Sequence, residues 1–277
     1  AHPCGTKFSD AEIGTPEFFE RVEAHRYEKE WHIPAAADFA NTHGLRVLEI
    51  GCGMGTDGAQ FAKAGADYTG IDLTDAAVVL ARKRFQVSGL KGEFRVADAE
   101  RLDFPDGSFD LVYSHGVLHH TPDIEAAVRE IHRVLKPGGR AMVMLYHRGS
   151  YNYRVGIRVL RRAGAGLLKS EPGIRLIHFL TGEPIESLRE HAQLAKNGSS
   201  SANDFLSQST DGAGNPLARV YSRREAEDIF RDFSKVELRA YFLNKRFIPL
   251  IGNLLPRSIE SLLASRWGWH LWIYATK

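Results

Sequence analysis

Val47-Leu48-Glu49-Ile50-Gly51-Cys52-Gly53-Met54-Gly55, followed by Tyr68-Thr69-Gly70-Ile71-Asp72-Leu73, is the stretch whose reading decides the fold. An apolar run enters a glycine turn, a helix-length segment follows, and a second apolar run ends in a carboxylate 21 residues after Gly51. Glycines let the backbone turn tightly and approach a ligand, and an acid at that distance suits ribose hydroxyls. The pattern therefore points to an adenosine compound. A dinucleotide fingerprint, G-x-G-x-x-G, would need glycine at position 56, where Thr56 stands. Glu49, two residues before the first glycine, also suits a cation better than a pyrophosphate lying over a helix start. An ordinary strand-helix-strand turn with a structural Glu49 accounts for this segment taken alone.

Further segments follow in order. Val96-Ala97-Asp98-Ala99-Glu100 closes a short strand that begins near Gly92. Phe109-Asp110-Leu111-Val112-Tyr113-Ser114-His115-Gly116-Val117-Leu118-His119-His120 is an apolar strand that runs into a polar turn. Leu135-Lys136-Pro137-Gly138-Gly139-Arg140 is read as the turn ending a helix, with Ala141–Tyr146 as a buried strand after it.

Together these motifs resemble the class I S-adenosylmethionine (SAM) methyltransferases, from Val47 to Tyr146. The resemblance implies an α/β fold: a seven-stranded, mostly parallel sheet with helices on both faces, its last strand antiparallel, and a helical cap inserted after the fifth strand. It implies SAM as cofactor and S-adenosylhomocysteine as product. Glu49, Gly51, Cys52, Gly53 and Gly55 would then border the cofactor, with Glu49 favouring its positive end directly or through water. Asp72 and Leu73 would take the ribose end. Asp98 would accept from the adenine amine, Ala99 would supply backbone contacts beside Glu100, and Ser114 and His115 would border the site. Arg26 and Tyr27, on a helix that begins at Pro16, are the candidates for the methionine carboxylate, because an arginine fork matches a carboxylate and a tyrosine can donate a second bond.

Composition narrows the field. With 36 basic and 34 acidic residues, a net charge of +2 gives no broad field for nucleic acid, which is disfavoured as a partner. Two cysteines, Cys4 and Cys52, are expected as free thiols in a cytoplasmic protein, and the scattered histidines show no metal-ligand spacing. No uninterrupted apolar run of about 18 residues marks a membrane span.

The chain divides by pattern into residues 1–44, an N-terminal helical lid; 45–150, the SAM-binding Rossmann-like core; 151–220, a helical cap over the substrate region; and 221–277, a helix and the last two strands. Helices are expected over Asp75–Gln86 and Ile124–Leu135, and in the cap over Tyr151–Lys169, Glu171–Leu180 and Glu186–Lys196. Arg154, Arg158, Arg161 and Arg162 make the first cap helix basic and amphipathic, a layout that could touch lipid headgroups, although a solvated face is the better account of it. Asn197–Ser201 is expected as a surface loop. Ser222 and Glu225 have capping-box spacing, Lys235–Phe242 and the segment from Gly268 read as strands, and Lys245–Trp267 reads as an apolar insertion.

Methyl transfer from a sulfonium needs alignment and exclusion of water more than special side chains. Where the acceptor needs a base, histidine suits neutral pH, and His119 or His120 after the fourth strand is the candidate. The expected activity is methylation of an O, N or C atom of a small, partly apolar molecule. A SAM-binding sensor or partner subunit without catalysis, and a nicotinamide-dependent oxidoreductase, are the rival readings. The acceptor and the oligomeric state are not legible in the sequence.

Overall fold

The computed structural model describes Thr6 and residues 9–155, 166–168, 170–181, 185–196, 217–244 and 255–277. Seven strands form one sheet in the order β3-β2-β1-β4-β5-β7-β6. They are β1 (Arg46–Ile50), β2 (Asp67–Asp72), β3 (Glu93–Val96), β4 (Phe109–His115), β5 (Leu135–Tyr146), β6 (Lys235–Tyr241) and β7 (His270–Thr276). The ladders β1–β2, β1–β4, β2–β3 and β4–β5 are parallel. Strand order reverses beside β1, and in such sheets ligands bind outside the carboxyl ends of the strands at that point.

β7 runs the other way. Near its end, Gly138 N donates to Lys277 O at 3.1 Å and Lys277 N to Gly139 O at 3.0 Å, while His147 N donates to Trp269 O at 2.9 Å before its start. It is antiparallel to β6 as well, with Ser234 N bonded to Thr276 O at 2.9 Å and Trp269 N to Phe242 O at 2.8 Å. Unlike the expected turn, Leu135–Arg140 is already part of β5. Leu135 pairs with Phe109, and the Gly138-Gly139 backbone finds its partners on Lys277, a segment far away in sequence.

The helices α1 (Pro16–Lys29) and α2 (Ile33–Ala36) precede β1, and α3 (Thr56–Lys63), α4 (Asp75–Val87) and α5 (Ile124–Val134) occupy crossovers between strands. Thr15, Thr74 and Asp123 cap α1, α4 and α5 by accepting from Phe18, Ala77 and Ala126 amides. Such caps satisfy donors that have no partner in the first helical turn. α5 shows how the pattern works: Ala127, Val128, Ile131 and Val134 repeat at helical spacing and are all buried. Among the described residues, no helix is long and apolar enough to cross a membrane.

The later elements are α6 (Glu171–Thr181), α7 (Ile185–Lys196), α8 (Arg223–Ile229) and α9 (Arg257–Trp267). The helix α9 lies inside the segment read as an insertion; Pro256 precedes it, and Glu260 and Ala264, four residues apart, turn the same side inward. Phe247, Ile248, Leu250, Ile251 and Leu254 of that segment lie outside the described residues, as do Cys4, Arg158, Arg161, Arg162 and the Asn197–Ser201 stretch.

Two compact units make up the chain: Ala1–Met144 with Glu227–Leu238 and Trp272–Lys277, and Leu145–Ala226 with Arg239–Leu271. In the first, Trp272, Tyr113, Phe18 and Phe61 are among the largest fully buried side chains. Within the second, Tyr146 stacks on Trp269 with centroids 4.4 Å apart, and Arg148 pairs with Glu225 at 2.9 Å. The capping box at α8 is formed in full: Ser222 N donates to Glu225 Oε2 at 2.8 Å, and Glu225 N to Ser222 Oγ at 3.2 Å.

Removing that cap by Ser222→Ala is expected to destabilise the protein by about 1 kcal/mol, visible as a lower midpoint in urea denaturation at an unchanged slope. His147 supplies a pH dependence. Its ring is buried, Nδ1 lies 3.0 Å from Gly268 O, and burial holds its pKa below the usual histidine range. The unfolded chain therefore takes up this proton first, so stability falls as pH drops below about 6.5 and levels off once the folded ring is protonated too. Between about pH 7.5 and 5.5 the wild type should lose more stability than His147→Gln, and equal losses in the two proteins would remove His147 from that role.

Candidate functional site

The site grows from the turn after β1. Gly51, Gly53 and Gly55 all have positive φ, at 77°, 52° and 74°. Two of them show why a side chain is excluded or unnecessary. A Cβ on Gly51 would lie 2.1 Å from a Val117 methyl, so only glycine lets the turn after β4 pack there. A Cβ on Gly53 would meet nothing within 4 Å, so that backbone borders open space. The turn is anchored by Gly51 N and Cys52 N, both donating to Ile71 O, and by Gly53 N, which donates to Asp72 Oδ2 at 3.1 Å. Oδ1 of Asp72 accepts from Thr74 N and Oγ1 at 3.0 and 2.9 Å. One carboxylate thus fixes both the glycine turn and the start of α4.

The other expected residues also collect at strand ends. Leu73, beside Asp72, is 70% exposed, and Asp98 is exposed after β3. Asp98 Oδ1 accepts from Glu100 N at 2.9 Å, Ala99 is buried, and Glu100 Oε1 accepts from Asp123 N at 2.8 Å. Ser114 is buried and donates to Ile50 O at 3.1 Å, so its hydroxyl ties β4 to β1. Cys52 is buried, and burial followed by the nearby Glu49 and Asp72 charges pushes its thiol up, which makes it inert. His119 and His120 sit in a short 3-10 turn, Leu118–His120, with ring centroids 4.2 Å apart; His119 is fully buried and His120 half-buried.

Three of the expected residues are held by partners within the chain. Glu49 is only 4% exposed, and the Tyr68 hydroxyl donates to its Oε2 at 2.5 Å. It faces Tyr68 and α3. Burial, and next the neighbouring Asp57 charge, raise its pKa well above the usual carboxylate range.

Arg26 and Tyr27, expected at a ligand carboxylate, instead meet a carboxylate of the chain itself. Arg26 donates to Asp57 through Nε and Nη2 at 2.9 and 2.6 Å, and Tyr27 donates to Asp57 Oδ1 at 2.9 Å. Tyr113 donates to Oδ2 at 2.9 Å. Burial opposes ionisation of Asp57, but the Arg26 charge and these donors outweigh it and hold its pKa below the usual range. Arg26 Nη2 also lies 3.2 Å from His115 Nδ1; a guanidinium only donates, so Nδ1 is the accepting nitrogen.

Sequence reasoning missed Asp57, Tyr113, Tyr68 and Arg84. An acid in the first turn after a glycine turn was a visible signal for Asp57. Its donors, however, come from 31, 30 and 56 residues away, and no local pattern announces them. Arg84 is buried, donates to Thr56 Oγ1 at 3.1 Å and pairs with Glu23 of α1.

The arrangement fits an adenosine cofactor. Open backbone at Gly53 admits a close approach, an exposed Leu73 offers an apolar platform beside an acid, and Asp98 presents an acceptor at the next strand end. Comparison with known proteins agrees. Residues 48–143 match the family model described as a methyltransferase domain. A fatty-acid O-methyltransferase of Mycolicibacterium smegmatis is 38% identical over 132 residues, which are 47% of this chain and 47% of that one. A ubiquinone biosynthesis O-methyltransferase of Pseudomonas aeruginosa is 36% identical over 181 residues, 57% of this chain and 76% of that one. The chain thus spans about half the length of the first relative and about three quarters of the second. A solved SAM-dependent methyltransferase of Methanosarcina mazei superposes with a TM-score of 0.54 at 21% identity, covering 88% of this chain and 97% of that one, a likeness of fold. The motifs, the strand order and the extent of these matches agree: the chain belongs to the class I SAM-dependent methyltransferases.

Proposed function

We propose that this chain is a SAM-dependent methyltransferase that moves a methyl group by in-line substitution to an oxygen of a small, partly apolar molecule. The observation that carries the reading is the glycine turn tied to Asp72, with open backbone at Gly53. Both named relatives are O-methyltransferases of lipophilic molecules, which supports oxygen over nitrogen or carbon as the acceptor atom.

When bound, SAM supplies an activated methyl group on a sulfonium. The chain's own residues do the rest. Asp72 accepts from ribose hydroxyls while holding Gly53, and Asp98 accepts from an exocyclic amine. Val117, half-buried, packs against the Gly51 backbone and forms one wall of the turn. A hydroxyl acceptor needs its proton removed, and an accessible imidazole near neutral pH is suited to that step. His120, half-buried, is better placed for it than the fully buried His119.

The direct test incubates the protein with SAM and a panel of fatty acids, phenols, quinols and amines while S-adenosylhomocysteine is measured; absence of turnover with every oxygen acceptor rejects the proposal. Asp72→Ala is expected to weaken SAM binding by about 1–3 kcal/mol, read by calorimetry. His120→Ala should lower kcat with little change in SAM affinity, whereas His119→Ala should act mainly on stability; the reverse pattern would exchange the two roles.

A further inference from the structure

Asp57 accepts four hydrogen bonds from side chains of the described residues, and the proposed methyl transfer gives it no direct task. It stands in the first turn of α3, two residues beyond Gly55, where the helix N-terminus favours negative charge. Its four donor contacts come from two elements: Arg26 and Tyr27 on α1, and Tyr113 on β4. The helix α1 has a second, apolar seat. Phe18, Phe19 and Val22 form one buried cluster with Leu80 and with Met54, and Met54 belongs to the glycine turn itself. Glu23 adds ion pairs to Arg84 and Lys63.

The geometry of the guanidinium decides what Asp57 accomplishes. Its side-on edge, Nε and Nη2, is taken by Asp57. The other edge points elsewhere: Nη1 lies 3.5 Å from Glu30 Oε2, and Nη2 reaches His115 Nδ1, the last residue of β4. A fork held along one edge presents the second in a fixed direction, with its rotamer entropy already lost before any ligand arrives. Through His115, the edge so presented borders the carboxyl end of β4, the side of the sheet on which β1 ends in the glycine turn and β2 in Asp72.

We propose that Asp57 is a positioning residue for the cofactor's amino-acid end: by gripping one edge of Arg26, with Tyr27 and Tyr113 holding Asp57 in turn, it aims the other edge at the ligand carboxylate and seats α1 on the glycine turn. This deepens the SAM reading and rests on it. The charge pairing supports the assignment, because the permanently charged Arg26 guanidinium and the deeply buried Asp57 carboxylate meet at 2.6 Å. Glu30 and His115, the other neighbours of the presented edge, are the groups an incoming carboxylate would displace or join.

A pair of ligands separates positioning from general support. S-adenosylhomocysteine carries the amino-acid end, and 5′-methylthioadenosine shares the adenosine and sulfur but lacks that end. By calorimetry on the full chain, Asp57→Asn is expected to weaken S-adenosylhomocysteine about 10-fold or more while 5′-methylthioadenosine changes by less than about 3-fold. Arg26→Lys should show the same selectivity, and the double variant should add little to either single one. Equal losses for both ligands would overturn the positioning role. Where Asp57→Asn does not fold, Tyr113→Phe removes one donor from Asp57 without touching α1; it should give the same selectivity at smaller size, and a loss spread evenly over both ligands would overturn the proposal. A wild type that binds neither ligand overturns the cofactor reading and this one with it, an outcome distinct from a wild type that binds both.

Discussion

The bond from Gly53 N to Asp72 Oδ2 is the constraint around which the rest of the site is arranged. A turn of three left-handed glycines has little intrinsic preference for one shape, and glycine loses more conformational freedom on folding than any other residue. Asp72 ends β2 and binds both the turn and Thr74, so it converts a flexible segment into a fixed edge between β1 and α4. The neighbouring strand contributes by shape: Val117 packs against Gly51 at a distance that no other residue at position 51 would permit. Cofactor affinity in such a site depends on backbone pre-ordering as much as on the count of polar groups.

Two buried carboxylates lie close to this turn and behave in opposite ways. Asp57 has a guanidinium and two phenols as donors, and stays charged despite burial. Glu49 has one phenol and the field of Asp57 beside it, so burial and like charge favour its neutral form. The difference follows from the partners: a buried carboxylate with a guanidinium and two phenols keeps its charge more easily than one with a single phenol.

The helix α1 is held by both kinds of force. Phe18 and Phe19 are almost fully buried, each contributing about 1.5–3 kcal/mol of apolar burial, while Asp57 and Glu23 fix its direction by paired charges. Apolar contact alone would tolerate rotation about the helix axis; the forked bond to Asp57 does not. The helix therefore couples to the glycine turn through Met54 on one side and through Asp57 on the other.

Much of this was legible in the chain itself. The order of strands and helices from Arg46 to Tyr146, the glycine turn, the acids at positions 72 and 98 and the capping box at Ser222 follow from local rules: periodicity, turn chemistry and short spacings. Such rules act over a few residues, and the sequence states them in full. The strand character of Leu135–Arg140 escaped them, because the partners of Gly138 and Gly139 lie at Lys277. The helix Arg257–Trp267 escaped as well, because its apolar residues mark an apolar segment without one clean stripe. The destination of Arg26 and Tyr27, the burial of Glu49 and the difference between His119 and His120 were decided by tertiary structure alone. Each depends on which distant side chain arrives at a given carboxylate or closes over a given ring, and that is settled by packing between elements far apart in sequence.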